Sequence, residues 1–173
     1  MPPMQSASAL LPPSSTTFEW LTPDTVAAAP LRAGVAWWRS ARANRPYPAR
    51  QDMHPRQMRG LLPYMSLVRV VDDGADFEHR IVGDVMVRAF SVQIQNRRFS
   101  EIAGDAPDFI ARCYSLFRLA VETAAPVAWR SIAGFDNATI VITHGEVILL
   151  PLGRTKVDHV LALGSQWSGP DRN

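Results

Sequence analysis

Histidine and cysteine are the residues of this chain best suited to chemistry near neutral pH. The four histidines are His54, His79, His144 and His159, and the single cysteine is Cys113. Zinc sites draw on ligands at short, regular spacings, and these residues show none. Serine and histidine also occur without the context of a nucleophile elbow. The sequence therefore predicts no metal site, no catalytic residues and no enzymatic activity.

Phosphate chemistry and acid–base catalysis are equally unsupported. The chain has no Gly-rich phosphate loop and no dinucleotide-binding fingerprint. Its densest carboxylate group is Asp72, Asp73 and Asp76, beside Gly74. We interpret this group as a solvated turn rather than an acid–base pair.

His79 is the most interesting polar residue for ligand binding. In a strand, Phe77, His79 and Ile81 point to one face and alternate with Glu78 and Arg80. The face that carries His79 is then directed at the interior, although a histidine hydrogen-bonded within a core or at a sheet edge is the more common explanation of such a pattern. The candidate pocket residues are Phe77, His79, Ile81, Phe90, Tyr114, Phe117 and Trp129, with Asn137 as a further polar group.

The elements around His79 predict a small α+β domain. Residues 67–71 and 77–82 form a hairpin across a turn at 72–74, and short helices follow Gly83. A helix over residues 108–123 has an apolar face formed by Ile110, Tyr114, Phe117 and Val121. Strands are expected at 127–132, 138–152 and 158–167. Together they give a five-stranded antiparallel sheet with helices on one face.

A tryptophan-bearing helix precedes this domain and is a candidate interface. Leu31, Val35 and Trp38 recur at helical spacing, and Trp37 lies about 100° around the helix from Trp38. Both tryptophans can pack on their own domain, or one can face a partner chain. Leu31, Val35, Trp37 and Trp38 are therefore the interface candidates, and the sequence leaves open whether the helix packs on its own sheet or across a dimer.

Composition favours a globular protein. Of 173 residues, 47% are hydrophobic and 20% charged, and the longest apolar run, residues 147–152, is too short to span a membrane. We expect residues 1–17 to be a disordered tail, without the charged start and long apolar core of a signal peptide. The single cysteine excludes an internal disulfide, and a cytoplasmic location is expected.

Arginines are concentrated in one segment. Residues 32–59 contain seven arginines and one acidic residue, Asp52. Such a segment is typical either of a solvated helix face or of an electrostatic surface for nucleic acid or anionic lipid. No nucleic-acid motif accompanies it, so specific nucleic-acid recognition is not predicted.

Five short motifs, taken in order, resemble the stand-alone PAS proteins of alphaproteobacteria. Each motif is weak alone, but their order and spacing over residues 20–168 are similar to those of that family. They are W-R at 38–39, P-x-R-x-D-x-x-P at 48–55, L-L-P at 61–63, R-I-V-G at 80–83 and L-L-P-L at 149–152. Members often carry G-x-x-x-x-G where this chain has Ser91 and Asn96, which leaves the loop geometry there open.

The resemblance implies a PAS fold with an N-terminal flanking helix. The expected organisation is a tail at 1–17, a helical flank and linker at 18–60, the PAS domain at 61–168 and a C-terminal tail at 169–173. PAS domains can hold haem, flavin or small acids between the sheet and the long helix. Haem usually takes a histidine from that helix, which has none here, and Cys113 lies on the wrong element for a photoactive flavin. Neither cofactor is supported, and the ligand is unknown.

Two functions follow from this resemblance. The first is a regulatory module that signals through protein contacts, as a homodimer and with an unknown protein partner. The second is a small-molecule sensor with a pocket between the sheet and the long helix. Nucleic-acid or membrane-surface binding by the arginine-rich segment is a third, more distant alternative.

Overall fold

An antiparallel sheet of six strands organises the molecule. The computed structural model describes residues 18–90, 93–131, 135–137, 140–142 and 144–167; the expected tails, 1–17 and 169–173, lie outside them. The strands are β1 (Phe18–Leu21), β2 (Met65–Val71), β3 (Asp76–Val82), β4 (Val127–Ser131), β5 (Phe135–Asn137), β6 (Ile140–Ile142), β7 (His144–Gly153) and β8 (Val157–Trp167). The six-stranded sheet has the order β1-β4-β7-β8-β2-β3, and β5 pairs with β6 alone.

Five helices accompany the sheet within the described residues. They are α1 (Ala29–Arg42), α2 (Pro55–Met58), α3 (Asp84–Ala89), α4 (Phe99–Ile102) and α5 (Pro107–Thr123). Proline stands in the first turn of α1 and of α5, where its missing N–H costs nothing. The predicted α+β class and the long helix are confirmed.

The sixth strand, β1, is the difference from the predicted sheet. These residues fall within the predicted helical flank, yet they form a strand in which Trp20 pairs with Trp129 on β4 in antiparallel register. Aromatic side chains favour strands and cross-strand pairing. Because β4 otherwise has an open edge, the aromatic segment before α1 completes the sheet there.

Helices cover both faces of the sheet. Leu149 pairs with Ala162 and Leu150 with Leu161, so these two pairs point to opposite faces. Leu149 and Ala162 lie beneath α5, around a cavity. On the other face a Cβ at Gly34 of α1 would lie 2.0 Å from Leu163 and 3.7 Å from Leu150. The helix α1 therefore packs on the sheet of its own chain, opposite α5.

Gly83 fixes the junction between the hairpin and α3. A Cβ at this position would stand 1.9 Å from the backbone oxygen of Leu62 and 2.5 Å from that of Pro63. Any larger residue would separate the strand from the turn at Leu62–Tyr64. This close approach explains why glycine ends the motif at 80–83.

Candidate functional site

A cavity of about 120 Å³ lies between α5 and the sheet. Its floor is formed by residues of β4, β7 and β8, including Trp129, Leu149 and Ala162, and α5 contributes Leu116 and Phe117. Natural cores are close-packed and leave few voids larger than a water molecule. A space of this size in the centre of the domain is therefore a candidate binding site.

Aromatic rings form much of the cavity wall. Phe90 and Phe109 meet edge to face with ring centroids 5.6 Å apart, and Phe99 and Phe117 do so at 5.1 Å. All four rings line the cavity, as does Trp129. Edge-to-face pairs are the favoured geometry of aromatic clusters, so the wall is held in place by its own packing.

His79 and Ser66 supply a polar pair to the same cavity. The two residues lie on adjacent strands, and His79 Nδ1 is 2.8 Å from Ser66 Oγ. The His79 ring also packs against Phe99, with centroids 5.1 Å apart. Burial lowers the pKa of His79 to about 4. The imidazole is therefore neutral at pH 7 and offers hydrogen bonding without charge.

The backbone of His79 is held on its outer side by the loop before α4. Its N–H donates to the carbonyl of Arg97 at 3.0 Å, and its carbonyl accepts from the N–H of Asn96 at 2.7 Å. Asn96 has a φ of 60°, the left-handed conformation that asparagine tolerates better than most residues. Asparagine can thus adopt the backbone conformation that this loop requires.

Of the seven predicted pocket residues, four line the cavity: His79, Phe90, Phe117 and Trp129. Phe77 is fully buried and packs behind the wall, 5.3 Å from Phe99 and 5.4 Å from Phe117 between ring centroids. Asn137, the further polar group, is a residue whose side chain lies outside the described part of the structure.

Ile81 lies outside the cavity, contrary to the sequence prediction. Leu67 pairs with Ile81 and Val68 with His79, which leaves Arg80 as an extra residue on β3. Such a bulge reverses the alternation of side chains beyond it. Ile81 is consequently 37% exposed, and Val82 takes the inward position.

Tyr114 also serves a different purpose from the one expected. Its hydroxyl donates to Asp76 Oδ1 at 2.7 Å, and Ser100 donates its hydroxyl to Asp76 Oδ2 at 2.6 Å. Burial by itself raises the pKa of Asp76, but the bonds from Ser100, Tyr114 and the backbone outweigh it and lower the pKa. Asp76 is therefore not part of a solvated turn but joins β3, α4 and α5.

Sequence reasoning missed several cavity residues. Met86, Phe99, Phe109, Leu116 and Ala162 line the space as well. Met86 lies in the short helices predicted after Gly83, and Phe99 lies in the segment before the long helix; the apolar character of both was the available signal. Phe109 and Leu116 fall beside the predicted face of the long helix, and nothing in the local sequence marks Ala162.

A buried ion pair occupies the other face of the sheet. The side chain of Glu146 is 0% exposed, and its Oε1 accepts from Arg130 Nη2 at 2.6 Å. Its Oε2 accepts the backbone N–H groups of Ala27 and Ala28 at 2.8 and 2.9 Å. Glu146 therefore anchors the start of α1 to the centre of the sheet.

Three of the four interface candidates belong to the chain's own core. Leu31, Val35 and Trp38 are buried, and Trp38 Nε1 donates to the carbonyl of Pro151 at 2.8 Å. They are not available to a partner in this arrangement. Trp37 is the half-buried exception. The apolar stripe of Leu31, Val35 and Trp38 thus faces the sheet of its own chain, where these side chains are buried.

The described residues also bear on thiol chemistry, metal binding and membrane insertion. Burial raises the pKa of the Cys113 thiol to about 12, which leaves it protonated and unreactive at pH 7. Among the described residues no group of three or more His, Cys, Asp or Glu is placed to hold a metal ion. The described helices also include none long and apolar enough to cross a membrane.

The arginine-rich segment is partly neutralised by ion pairs. Arg39 Nη1 lies 2.7 Å from Asp24 Oδ1, and Arg45 Nη2 lies 2.6 Å from Asp52 Oδ2. Both pairs are on the surface, where such contacts contribute little to stability.

Comparison with known families identifies the class of protein to which this fold belongs. The model of the PAS domain matches residues 26–166. The chain belongs to the PAS-domain family, a family of sensory and regulatory modules. No curated protein and no solved structure matches the chain.

Proposed function

We propose that this PAS domain is a sensor whose cavity binds a small molecule, and that it acts without catalysing a reaction. The observation that carries the proposal is the space of about 120 Å³ left between α5 and the sheet, bordered by the neutral His79–Ser66 pair. Binding sites are typically apolar clefts with a few polar groups that orient the ligand. This cavity has that composition.

Native mass spectrometry of protein purified from its own host tests the proposal. We expect a reproducible extra mass that is lost on denaturation. Ala162 is buried at the cavity floor, so Ala162→Leu should fill the space and abolish the extra mass. Ala111, exposed on α5 and outside the cavity, provides the matched control Ala111→Leu, which should keep it. A clean apo mass in the parent protein contradicts the proposal.

A second candidate function is regulation through protein contacts, including a homodimer. It is supported by the edge strand β3 and its surroundings, where Leu62, Ile81 and Val87 are 42%, 37% and 45% exposed. Exposed apolar side chains grouped beside the end of β3 form a surface that a second copy can cover, and ligand occupancy can bias such an interface.

Sedimentation velocity over a range of concentrations tests this second candidate. The wild-type chain should self-associate, and Ile81→Lys should weaken the association by placing a charge beside β3. The exposed Gln57 of α2 provides the control Gln57→Lys, which should behave as wild type. A protein that remains monomeric at all concentrations would contradict the homodimer hypothesis.

A further inference from the structure

The size of the cavity sets the first limit on its ligand. Its volume is about 120 Å³, slightly below the roughly 150 Å³ of an engineered apolar cavity that binds benzene. A molecule with a single six-membered ring therefore fits, whereas a tetrapyrrole or a three-ring flavin does not fit without opening the core.

The walls favour an aromatic molecule of that size. Phe90, Phe99, Phe109 and Phe117 present rings already arranged edge to face. A guest ring extends this arrangement at favourable centroid distances. The thioether of Met86 lines the same space and adds a polarizable contact of the kind that sulfur makes with aromatic rings.

The polar groups at the cavity favour a neutral molecule. Ser66 and His79 are buried and bonded to each other, and neither offers a positive charge to an anion. Arg112 also lines the cavity, but it already has an interaction of its own. Glu146 is committed to Arg130 and to the start of α1. A carboxylate in this space would lose its hydration and would have to compete for Arg112 with the group that Arg112 already contacts.

We propose that the cavity takes a neutral, single-ring aromatic compound with one hydrogen-bonding group directed at the His79–Ser66 pair. The inference rests on the proposed sensor function and names the ligand class for the same site. Ring stacking supplies the affinity, and the polar pair selects among rings of equal size.

Three single-ring probes of similar size test separately the hydrogen-bonding group and the neutrality that we propose for the ligand. Phenol and toluene differ by a hydroxyl in place of a methyl group, and benzoate carries a charge at pH 7. Titrations followed by two-dimensional amide NMR should show phenol binding about threefold to tenfold more tightly than toluene, the value of one net hydrogen bond. Benzoate should bind more weakly than either. In His79→Leu the preference for phenol over toluene should disappear.

Two cavity-filling variants test whether the probes bind in the cavity. Ala162→Leu should abolish the shifts caused by phenol and toluene, and Leu116→Trp does the same from the α5 side should the first variant fold poorly. Ala111→Leu should bind as wild type. Binding that survives in both cavity-filling variants places the probes elsewhere and overturns the proposal.

The remaining outcomes separate the ligand class from the sensor function. If benzoate binds more tightly than phenol and Ala162→Leu blocks its binding, the sensor function is supported but the proposal of a neutral ligand is wrong. If no probe binds, the proposed ligand class is also wrong. The mass of the host-purified protein then decides whether the sensor function is correct. If that mass is clean, both proposals fail.

Discussion

At the scale of single residues, two buried ionisable groups have opposite preferences for charge. Glu146 is fully buried yet held as a carboxylate: burial raises its pKa, and the bonds from Ala28, Arg130 and Ala27 outweigh burial and lower it. His79 is buried beside the neutral Ser66, so nothing offsets the cost of burial and its pKa falls. Hydrogen-bond partners for the charged form, present at Glu146 and absent at His79, decide whether burial is offset at each group.

Replacement of Glu146 should destabilise the fold. Glu146→Gln removes a charge that accepts from Arg130 and from two backbone N–H groups, and hydrogen bonds to charged groups contribute about 1.5–3 kcal/mol. We expect the free energy of unfolding in urea to fall by about that amount. Glu19 pairs with the same arginine but is half exposed, so Glu19→Gln should cost about 1 kcal/mol or less. Equal losses in the two variants would contradict the anchoring role of Glu146.

His79 should make the protein less stable in mild acid. Its folded pKa of about 4 lies below its ordinary value of 6.5, so the unfolded chain binds a proton between these values and the folded chain does not. The free energy of unfolding should therefore fall on the order of 2 kcal/mol between pH 7 and pH 5. His79→Leu should lose this dependence in urea denaturation at the two pH values. A wild-type stability that is constant over the window is the contrary result.

At the scale of elements, α1 depends on a close approach to the sheet. Gly34 leaves room for the side chain of Leu163: a Cβ at this position would lie 2.0 Å from Leu163 Cδ1, so the fully buried Leu163 would have to move. The apolar stripe of Leu31, Val35 and Trp38 can then be buried completely. The helix is thereby part of the core rather than a detached flank.

Enlargement of Gly34 should separate α1 from the sheet. Gly34→Val overpacks a buried contact with Leu163, and overpacking typically costs about 1–3 kcal/mol. Ala36 is exposed on the same helix, so Ala36→Val should cost only the helix-propensity difference, about 0.7 kcal/mol or less. Thermal unfolding of the two variants measures the contrast, and a Gly34→Val variant as stable as Ala36→Val would show that α1 does not pack tightly.

At the scale of the whole molecule, the sheet lies between α1 on one face and α5 on the other. The cavity is on the α5 side, and the Glu146 anchor is on the α1 side. Because Gly145 and Val147 of the same strand line the cavity, a ligand and the start of α1 contact the same short stretch of β7.

Amide hydrogen exchange should show α1 to be part of the cooperative core. We expect the amides of residues 32–39 to exchange at rates similar to those of β7 and β8, because their side chains share one buried cluster. Exchange within seconds in α1, with β8 still protected, would instead indicate a helix that detaches or swaps to another subunit.

The sequence by itself determined the local elements. The helical spacing of Leu31, Val35 and Trp38 predicted α1, and the spacing of Ile110 and Phe117 predicted the inner face of α5. The order of five motifs gave the PAS fold, and the match over residues 26–166 confirms it. The helices and the hairpin depend on residues close together in the chain, so periodicity and turn chemistry are sufficient to predict them, whereas the PAS fold rests on the resemblance of the five motifs to that family.

Only the tertiary structure decided which of these residues meet. The bulge at Arg80 turned Ile81 away from the cavity, and it arises from the pairing of β3 with β2 rather than from β3 alone. Asp76 is a half-buried junction because α4 and α5 bring Ser100 and Tyr114 to it. The stripe on α1 met its own sheet because Gly34 permits the approach. Contacts between distant segments depend on register and on close packing, and neither is encoded by the spacing of residues within one element.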